Sequence, residues 1–409
     1  MTSAHAAGLN SEVPADRQMI RQLWPLLIAA ALGLIPFTVM STFLVPIATD
    51  AESSVVVIGG FRGLGGVAAL IVGAAAAPLV DRMTRGHVAS LALVILSIGC
   101  LVSLISTAAG WVIFCLLIGA GTSLLSPALS AMAADRYDND AASGRAATII
   151  SATTTLTAVL AAPLLAAPAL LWGWQGDMVA ASACCVVLAV MMVRLRDERP
   201  SAVNATRPGY GEAFRTAARV PGGILLISIS ALRTTCFMGQ LAYVAAYYAQ
   251  AHSLDPGVFS LVWTLSGASF FCGNWWAGRA LSREDGPGRA GRLAAFGALL
   301  AGAAHALLFC APWLPAALIG TSLTAVGHAI VAAAVVTLLV RRAGPVRGTV
   351  MSLNGSAQSL GVFIGAALVG ACLAGGNWTV VGVTLAAAMV ICAALALAPW
   401  QRAAGGEPR

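Results

Sequence analysis

Lysine is absent from this sequence, and charge of either sign is scarce: all basic side chains are arginine, and charged residues make up only 10% of the chain. Soluble domains carry about 25% charged residues, so a water-soluble globular protein is excluded. No C-x-x-C spacing occurs among the nine cysteines, which lie inside apolar stretches. Zinc or dithiol chemistry is therefore not indicated, and the thiols read as small buried hydrophobes. No metal or other cofactor is expected. No Asp or Glu falls deep inside an apolar segment, which removes the carboxylate on which many proton-coupled exporters of cations depend. The polar connections on one side are very short, and their acidic residues (Asp50, Glu52, Asp177, Asp255) form no paired motif. A polytopic membrane enzyme with catalytic carboxylates in sizeable surface loops is poorly matched.

What the sequence has in abundance is apolar length. Of 409 residues, 59% are hydrophobic, and the mean hydropathy is +0.87. A spanning helix needs about 20 mostly apolar residues. Twelve such segments occur, near 23–48, 54–79, 88–107, 110–133, 146–169, 177–195, 221–250, 257–280, 291–311, 313–340, 350–373 and 378–399. All of the 23 arginines except Arg62 and Arg233 fall at the termini or in alternate connections. This positive-inside bias puts both termini in the cytoplasm, and it makes the net charge of +7 a mark of topology rather than of a nucleic-acid partner. The polar start followed by a long apolar run reads as an uncleaved first span. Short loops and compact size suggest a bacterial cytoplasmic membrane.

The organisation expected is a cytoplasmic tail (1–22), six spans (23–195), a central cytoplasmic loop (196–220), six more spans (221–400) and a second tail (401–409). Within the central loop, residues 210–219 read either as a short amphipathic helix on the membrane surface or as a solvated linker, and the linker is favoured. The halves echo each other at an offset near 200 residues. Gly73-x-x-x-Ala77 matches Gly273-x-x-x-Ala277, and Arg145 and Arg347 stand at equivalent helix entrances. Such internal symmetry fits transporters that bind substrate between their halves.

Three stretches carry a family resemblance. The turn A-P-L-V-D-R-M-T-R-G-H at 77–87 keeps Leu79, Asp81, Arg82 and Arg85 of a G-x-L-x-D-R-x-G-R-R/K pattern. Ala158, Ala162, Pro163, Ala166 and Ala167 keep the spacing of G-x-x-x-G-P-x-x-G-G, with alanine at each glycine. A glycine-rich segment follows Asn354, through Gly355, Gly361, Gly365 and Gly370. The chain resembles the major facilitator superfamily, and the second motif resembles its drug/proton antiporter subgroup. The resemblance implies an all-α membrane protein with twelve transmembrane helices in two pseudo-symmetric six-helix bundles, working by alternating access as a monomer. It also implies that Asp81, Arg82 and Arg85, with Arg145 and Arg347, form a gate at the cytoplasmic side. One departure matters: the arginine that the antiporter pattern places on span 4 is replaced by Cys115.

The remaining candidates are polar groups inside the bilayer, where each is costly unless used. Arg62 on span 2 either snorkels to pair with Asp50 or Glu52 or serves an anionic substrate. Arg233, about a dozen residues into span 7, either snorkels or finds a planar anion for its guanidinium fork. His328 is the candidate for proton coupling, and His305 reads as a packing residue. Gln240, Tyr243, Asn274, His328, Asn354 and Gln358 offer hydrogen bonds to a substrate or between helices. Trp263, Trp275 and Trp276 read as packing or interface anchors. The expected function is proton-coupled export of a small molecule. The alternative is carriage of a small organic anion by the intramembrane arginines.

Overall fold

The computed structural model describes residues 14–75, 83–137, 139–160, 164–165, 168–169, 172–195, 210–282 and 288–398. Among them the regular structure is helical. We number the helices α1 (Asp16–Thr42), α2 (Leu44–Asp50), α3 (Val55–Ala75), α4 (Arg85–Ser103), α5 (Ala108–Ala134), α6 (Asp140–Val159) and α7 (Trp174–Arg194) in the first half. The second half contains α8 (Tyr210–Arg219), α9 (Gly223–His252), α10 (Pro256–Ser282), α11 (Arg289–Cys310), α12 (Leu314–Ala343), α13 (Arg347–Gly375) and α14 (Trp378–Leu397).

Eleven of these are long and apolar enough to cross a membrane among the described residues. The expected fifth span, 146–169, is helical through Val159, and part of its remainder lies outside the described residues. The first span is α1 and α2 together, interrupted at Phe43. Pro46 explains the break: it has no N–H for the Thr42 carbonyl, and its ring crowds that carbonyl.

Packing is densest within two groups of helices, α1 and α3–α7 on one hand and α9–α14 on the other. The groups meet where α3 lies on α13 and α6 lies on α10. Close crossings need residues without side chains. A Cβ on Gly119 of α5 would lie 2.1 Å from the Gly65 carbonyl oxygen of α3, and one on Gly365 of α13 would lie 2.2 Å from the Thr235 carbonyl oxygen of α9. The two glycines matched in the sequence, Gly73 and Gly273, have different surroundings. Gly73 faces open space, whereas Gly273 sits against Val326 of α12. The residue of span 2 that meets span 4 is Gly65, a turn pair earlier than Gly73.

Residues 210–219 form a helix, not the favoured linker. Ala217 is fully buried where α8 meets α13, while Phe214 remains 54% exposed. The alternation of small and bulky residues lets the narrow face dock, and that tertiary contact fixes a segment too short to be helical alone.

Candidate functional site: the cavity between the bundles

A cavity of about 470 Å³ lies between the two groups of helices. Its aromatic wall is Phe37 of α1, Phe237 of α9, and Trp263 and Phe270 of α10. Phe237 and Phe270 stack with centroids 5.6 Å apart. Thr38, Thr122, Thr154, Ser266 and Ser359 supply hydroxyls, and among the described residues Arg62 is the one charged residue of the lining. The cavity continues along α1, α5 and α6 through a smaller space of about 180 Å³, reaching Leu129 near the end of the molecule where α1 begins.

The opposite end is shut. Tyr243, fully buried, donates its hydroxyl to the Val56 carbonyl across the two halves at 3.0 Å. Its ring occupies the space over Gly59, where a Cβ would come within 2.3 Å of the ring. Any side chain at 59 would push the tyrosine out of this seat.

Arg62 is held from three sides. Its Nη1 donates to Ser41 Oγ and, at 3.0 Å, to the Leu241 carbonyl. The Phe37 ring lies 5.7 Å from the guanidinium carbon, within cation–π range. The expected pairing with Asp50 or Glu52 does not form. Asp50 instead accepts from Trp174 Nε1 at 2.8 Å and Gln175 Nε2 at 3.2 Å. Snorkelling is unnecessary because α1 and α9 bring acceptors to the arginine at depth.

The other residues expected at a substrate do not line this cavity. Arg233 is buried with Nη2 donating to Thr234 Oγ1 at 3.0 Å, and its Nε has no partner. Gln240 is 1% exposed, and its Oε1 is also unpartnered. Asn274 is exposed on α10 beside Trp275 and Trp276. His328 stands one layer behind the wall, its ring 4.9 Å from Phe237 and 5.3 Å from His305. Neither ring nitrogen of His328 has a partner, whereas His305 Nδ1 meets the Ala301 carbonyl at 2.7 Å. Asn354 is buried with Oδ1 unpartnered, and Gln358 donates to Ser230 Oγ at 3.0 Å, joining α13 to α9.

Helical angle explains the difference. At about 100° per residue, Gln240 lies only about 20° from Arg233 around α9, while Leu241 and Met238 lie about 80° and 140° away. Leu241 and Met238 face the cavity, so the face carrying Arg233 and Gln240 is turned into the second bundle. Depth along the helix was legible in the sequence, but its rotation was not. The spacing of Phe237, Met238 and Leu241 was the available signal, and it passes for ordinary core.

Among the expected gate residues, Asp81 and Arg82 lie outside the described residues, as do Ala162, Pro163, Ala166 and Ala167 of the antiporter-like motif; of Ala158 only the helical backbone is described. Arg85 bonds Asp135 and, at 3.0 Å, the Ala131 carbonyl, stapling α4 to α5. Arg145 makes a two-pronged pair with Asp16 at 2.5 and 2.7 Å, tying α6 to α1. Arg347 is exposed at the start of α13.

One carboxylate was missed. Asp177, expected in a short outer loop, is the fourth residue of α7 and only 2% exposed, with both oxygens unpartnered. A first-turn carboxylate gains roughly 0.3–1 kcal/mol from the helix dipole. Removing an ion from water costs several kcal/mol, more than the dipole supplies to a carboxylate at this position. The segment boundary read from hydropathy began at 177. The helix in fact starts at Trp174, and Gly176 packs against the Pro168 carbonyl, where a Cβ would come within 2.2 Å.

Two bundles closed at one end around a shared cavity define a polytopic membrane carrier that exposes its cavity alternately. Residues 26–313 match the family model of the Major Facilitator Superfamily, more than half of the chain, and the chain belongs to that family. A sequence comparison with curated proteins finds no match. Solved structures share the fold. A bacterial homolog of the human lysosomal transporter Spinster, inward-facing and unoccupied, aligns at 17% identity and TM-score 0.72, covering 95% of this chain and 98% of that one. The nucleoside transporter NupG aligns at 13% identity and TM-score 0.71, with 92% and 98% covered. A point mutant of the peptide transporter POT bound to sulfate aligns at 15% identity and TM-score 0.72, with 95% and 99% covered. The protein is a membrane transporter, not an enzyme.

Proposed function

We propose that this transporter exports a small, largely apolar molecule held in the cavity between the bundles, with protons as the coupling ion. The observation that carries this reading is the cavity wall of Phe37, Phe237, Trp263 and Phe270. Ligand pockets of this kind are lined mainly by apolar and aromatic side chains with a few polar groups that fix orientation. Tyr243 acts as the gate at the far end, and opening requires it to leave the Gly59 seat. Export itself rests on the resemblance of residues 158–167 to the antiporter motif. Proton coupling rests on His328, whose unpartnered ring lies directly behind Phe237.

A second reading, carriage of a small organic anion, is favoured by one observation. Arg62 is the charged residue of the lining, and a guanidinium binds carboxylate or phosphate in a forked geometry. Arg233 is not among the residues lining this cavity.

The two are separated by a thermal-shift screen of purified protein against neutral aromatic compounds and small carboxylates, repeated on Trp263→Ala and Arg62→Gln. Stabilisation by aromatic compounds that disappears in Trp263→Ala supports the first reading. Stabilisation by carboxylates that disappears in Arg62→Gln replaces it with the second.

A further inference from the structure

Two hydrogen bonds join α3 to α9 near the closed end, and they run in opposite senses. Tyr243 of α9 donates to the Val56 carbonyl of α3, and Arg62 of α3 donates to the Leu241 carbonyl of α9, both at 3.0 Å. Between them the tyrosine ring fills the space over Gly59, and a Cβ on Gly370 of α13 would come within 2.7 Å of its hydroxyl. Tyr243, Val56 and Gly59 are not part of the cavity lining, whereas Arg62 and Leu241 both are. The Arg62–Leu241 bond is therefore the point where the contents of the cavity reach the seal.

The anchors of Arg62 are unequal. Ser41 and Phe37 belong to α1, in the same bundle as α3, so they stay with the arginine when the bundles separate. The Leu241 carbonyl belongs to the other bundle. It lies in mid-helix, where it also accepts the Ala245 N–H, so losing the arginine leaves no orphaned acceptor. A buried guanidinium, by contrast, needs acceptors in every state. A carboxylate in the cavity offers two ionised oxygens in a fork, a stronger acceptor than a neutral carbonyl.

We infer that Arg62 couples an occupied cavity to the closed end. An acceptor group on the bound molecule takes the guanidinium from the Leu241 carbonyl, and one of the two bonds between α3 and α9 is lost. The molecule then binds the opened arrangement, where Arg62 is free of Leu241, more tightly than the closed one. That difference in affinity is what shifts the equilibrium. Arg62 is thus a positioning residue that also sets a requirement on the cargo: an apolar body for the aromatic wall, and an acceptor at the end facing Arg62. The inference rests on the reading that the molecule binds in the central cavity, and it does not depend on the direction of transport.

The test is the rate of maleimide labelling of the full chain in nanodiscs, with Val56→Cys reporting the closed end and Ser126→Cys the open end of the cavity. Mass spectrometry of the labelled peptides separates these positions from the nine native cysteines. Without any ligand, Arg62→Gln is expected to speed labelling at 56 by about threefold or more and to slow it at 126. Faster labelling at both positions marks a merely loosened fold and overturns the inference, as does no change at 56. The probes are 2-naphthoate and, as the same ring without an acceptor, 2-methylnaphthalene. Naphthoate is expected to speed labelling at 56 in the background with Arg62 intact and to add nothing in Arg62→Gln, and methylnaphthalene to leave the rate unchanged in both. Equal action of the two probes, or no thermal stabilisation by naphthoate with Arg62 intact, overturns the inference. If naphthoate acts equally with and without Trp263→Ala, the aromatic wall is not its seat: the proposed function falls while the coupling by Arg62 stands. Should Arg62→Gln fail to fold, the two probes decide on the protein with Arg62 intact: action by naphthoate alone supports the coupling, and any other pattern rejects it.

Discussion

The two intramembrane arginines occupy opposite environments. Arg62 of the first bundle lines the central cavity and is held by Ser41, the Leu241 carbonyl and the Phe37 ring. Arg233 of the second bundle lies behind the cavity wall with a local bond to Thr234 and an orphaned Nε. Both are buried, at 9% and 6% exposure, so burial alone does not distinguish a working charge from a residual one. What distinguishes them is partnership and access. A satisfied charge beside a cavity is preorganised for a ligand, while an unsatisfied charge inside a bundle lowers stability.

The contrast predicts opposite outcomes for the same substitution. The largest effects belong to the glycine crossings that create both environments. Gly119→Val and Gly365→Val are each expected to cost about 3 kcal/mol or more, read as a lower melting temperature or lost monodisperse protein, because the clash is with backbone. Tolerance of either valine would show that the helices cross more loosely than described. Next come the arginines. Arg233→Met is expected to leave the melting temperature unchanged or raise it by the equivalent of about 1–4 kcal/mol, since a buried charge is exchanged for an apolar side chain of similar reach. Arg62→Met is expected to lower stability by about 1.5–3 kcal/mol, as charged hydrogen bonds to Ser41 and Leu241 are lost. If both variants shift the same way, the contrast breaks.

A smaller change sharpens the comparison at the far end. Tyr243→Phe deletes one hydroxyl bond to Val56, a net contribution of about 0.5–1.5 kcal/mol to the closed state. That moves the open-to-closed ratio by roughly a factor of 2–12, measurable as labelling of a cysteine placed at Val56. An unchanged labelling rate would remove Tyr243 from the gate. The smallest effect is expected at the other end of the first bundle. The Arg145–Asp16 pair is more than half exposed, and Arg145→Ala should barely move the melting temperature, less still at high salt.

Much of this architecture was legible in the sequence because bilayer length and arginine placement are one-dimensional signals. The spans, the helical class and the intramembrane depth of Arg62 follow from them. Rotation about a helix axis is not one-dimensional, and that is where the sequence reading and the lining of the central cavity part. Arg233, Gln240 and Tyr243 share a helix with Phe237, Met238 and Leu241, but only the latter three reach the cavity. Asp177 was lost for a related reason. Hydropathy sets a segment edge only to within a few residues, and the packing of Pro168 on Gly176 turns an apparent loop residue into a buried one. The α8 helix needed its contact with α13, which local sequence does not carry.

The central claim is that substrate binds between the bundles, against Phe237, Trp263 and Phe270, and not at Arg233. The most direct test is ligand-induced stabilisation by whichever compound the screen selects, compared among wild type, Trp263→Ala and Arg233→Met. At 100 times its dissociation constant a ligand stabilises the folded state by about 2.7 kcal/mol, well above detection. The account predicts that this stabilisation disappears in Trp263→Ala and persists in Arg233→Met. Stabilisation that survives Trp263→Ala and disappears in Arg233→Met would contradict it.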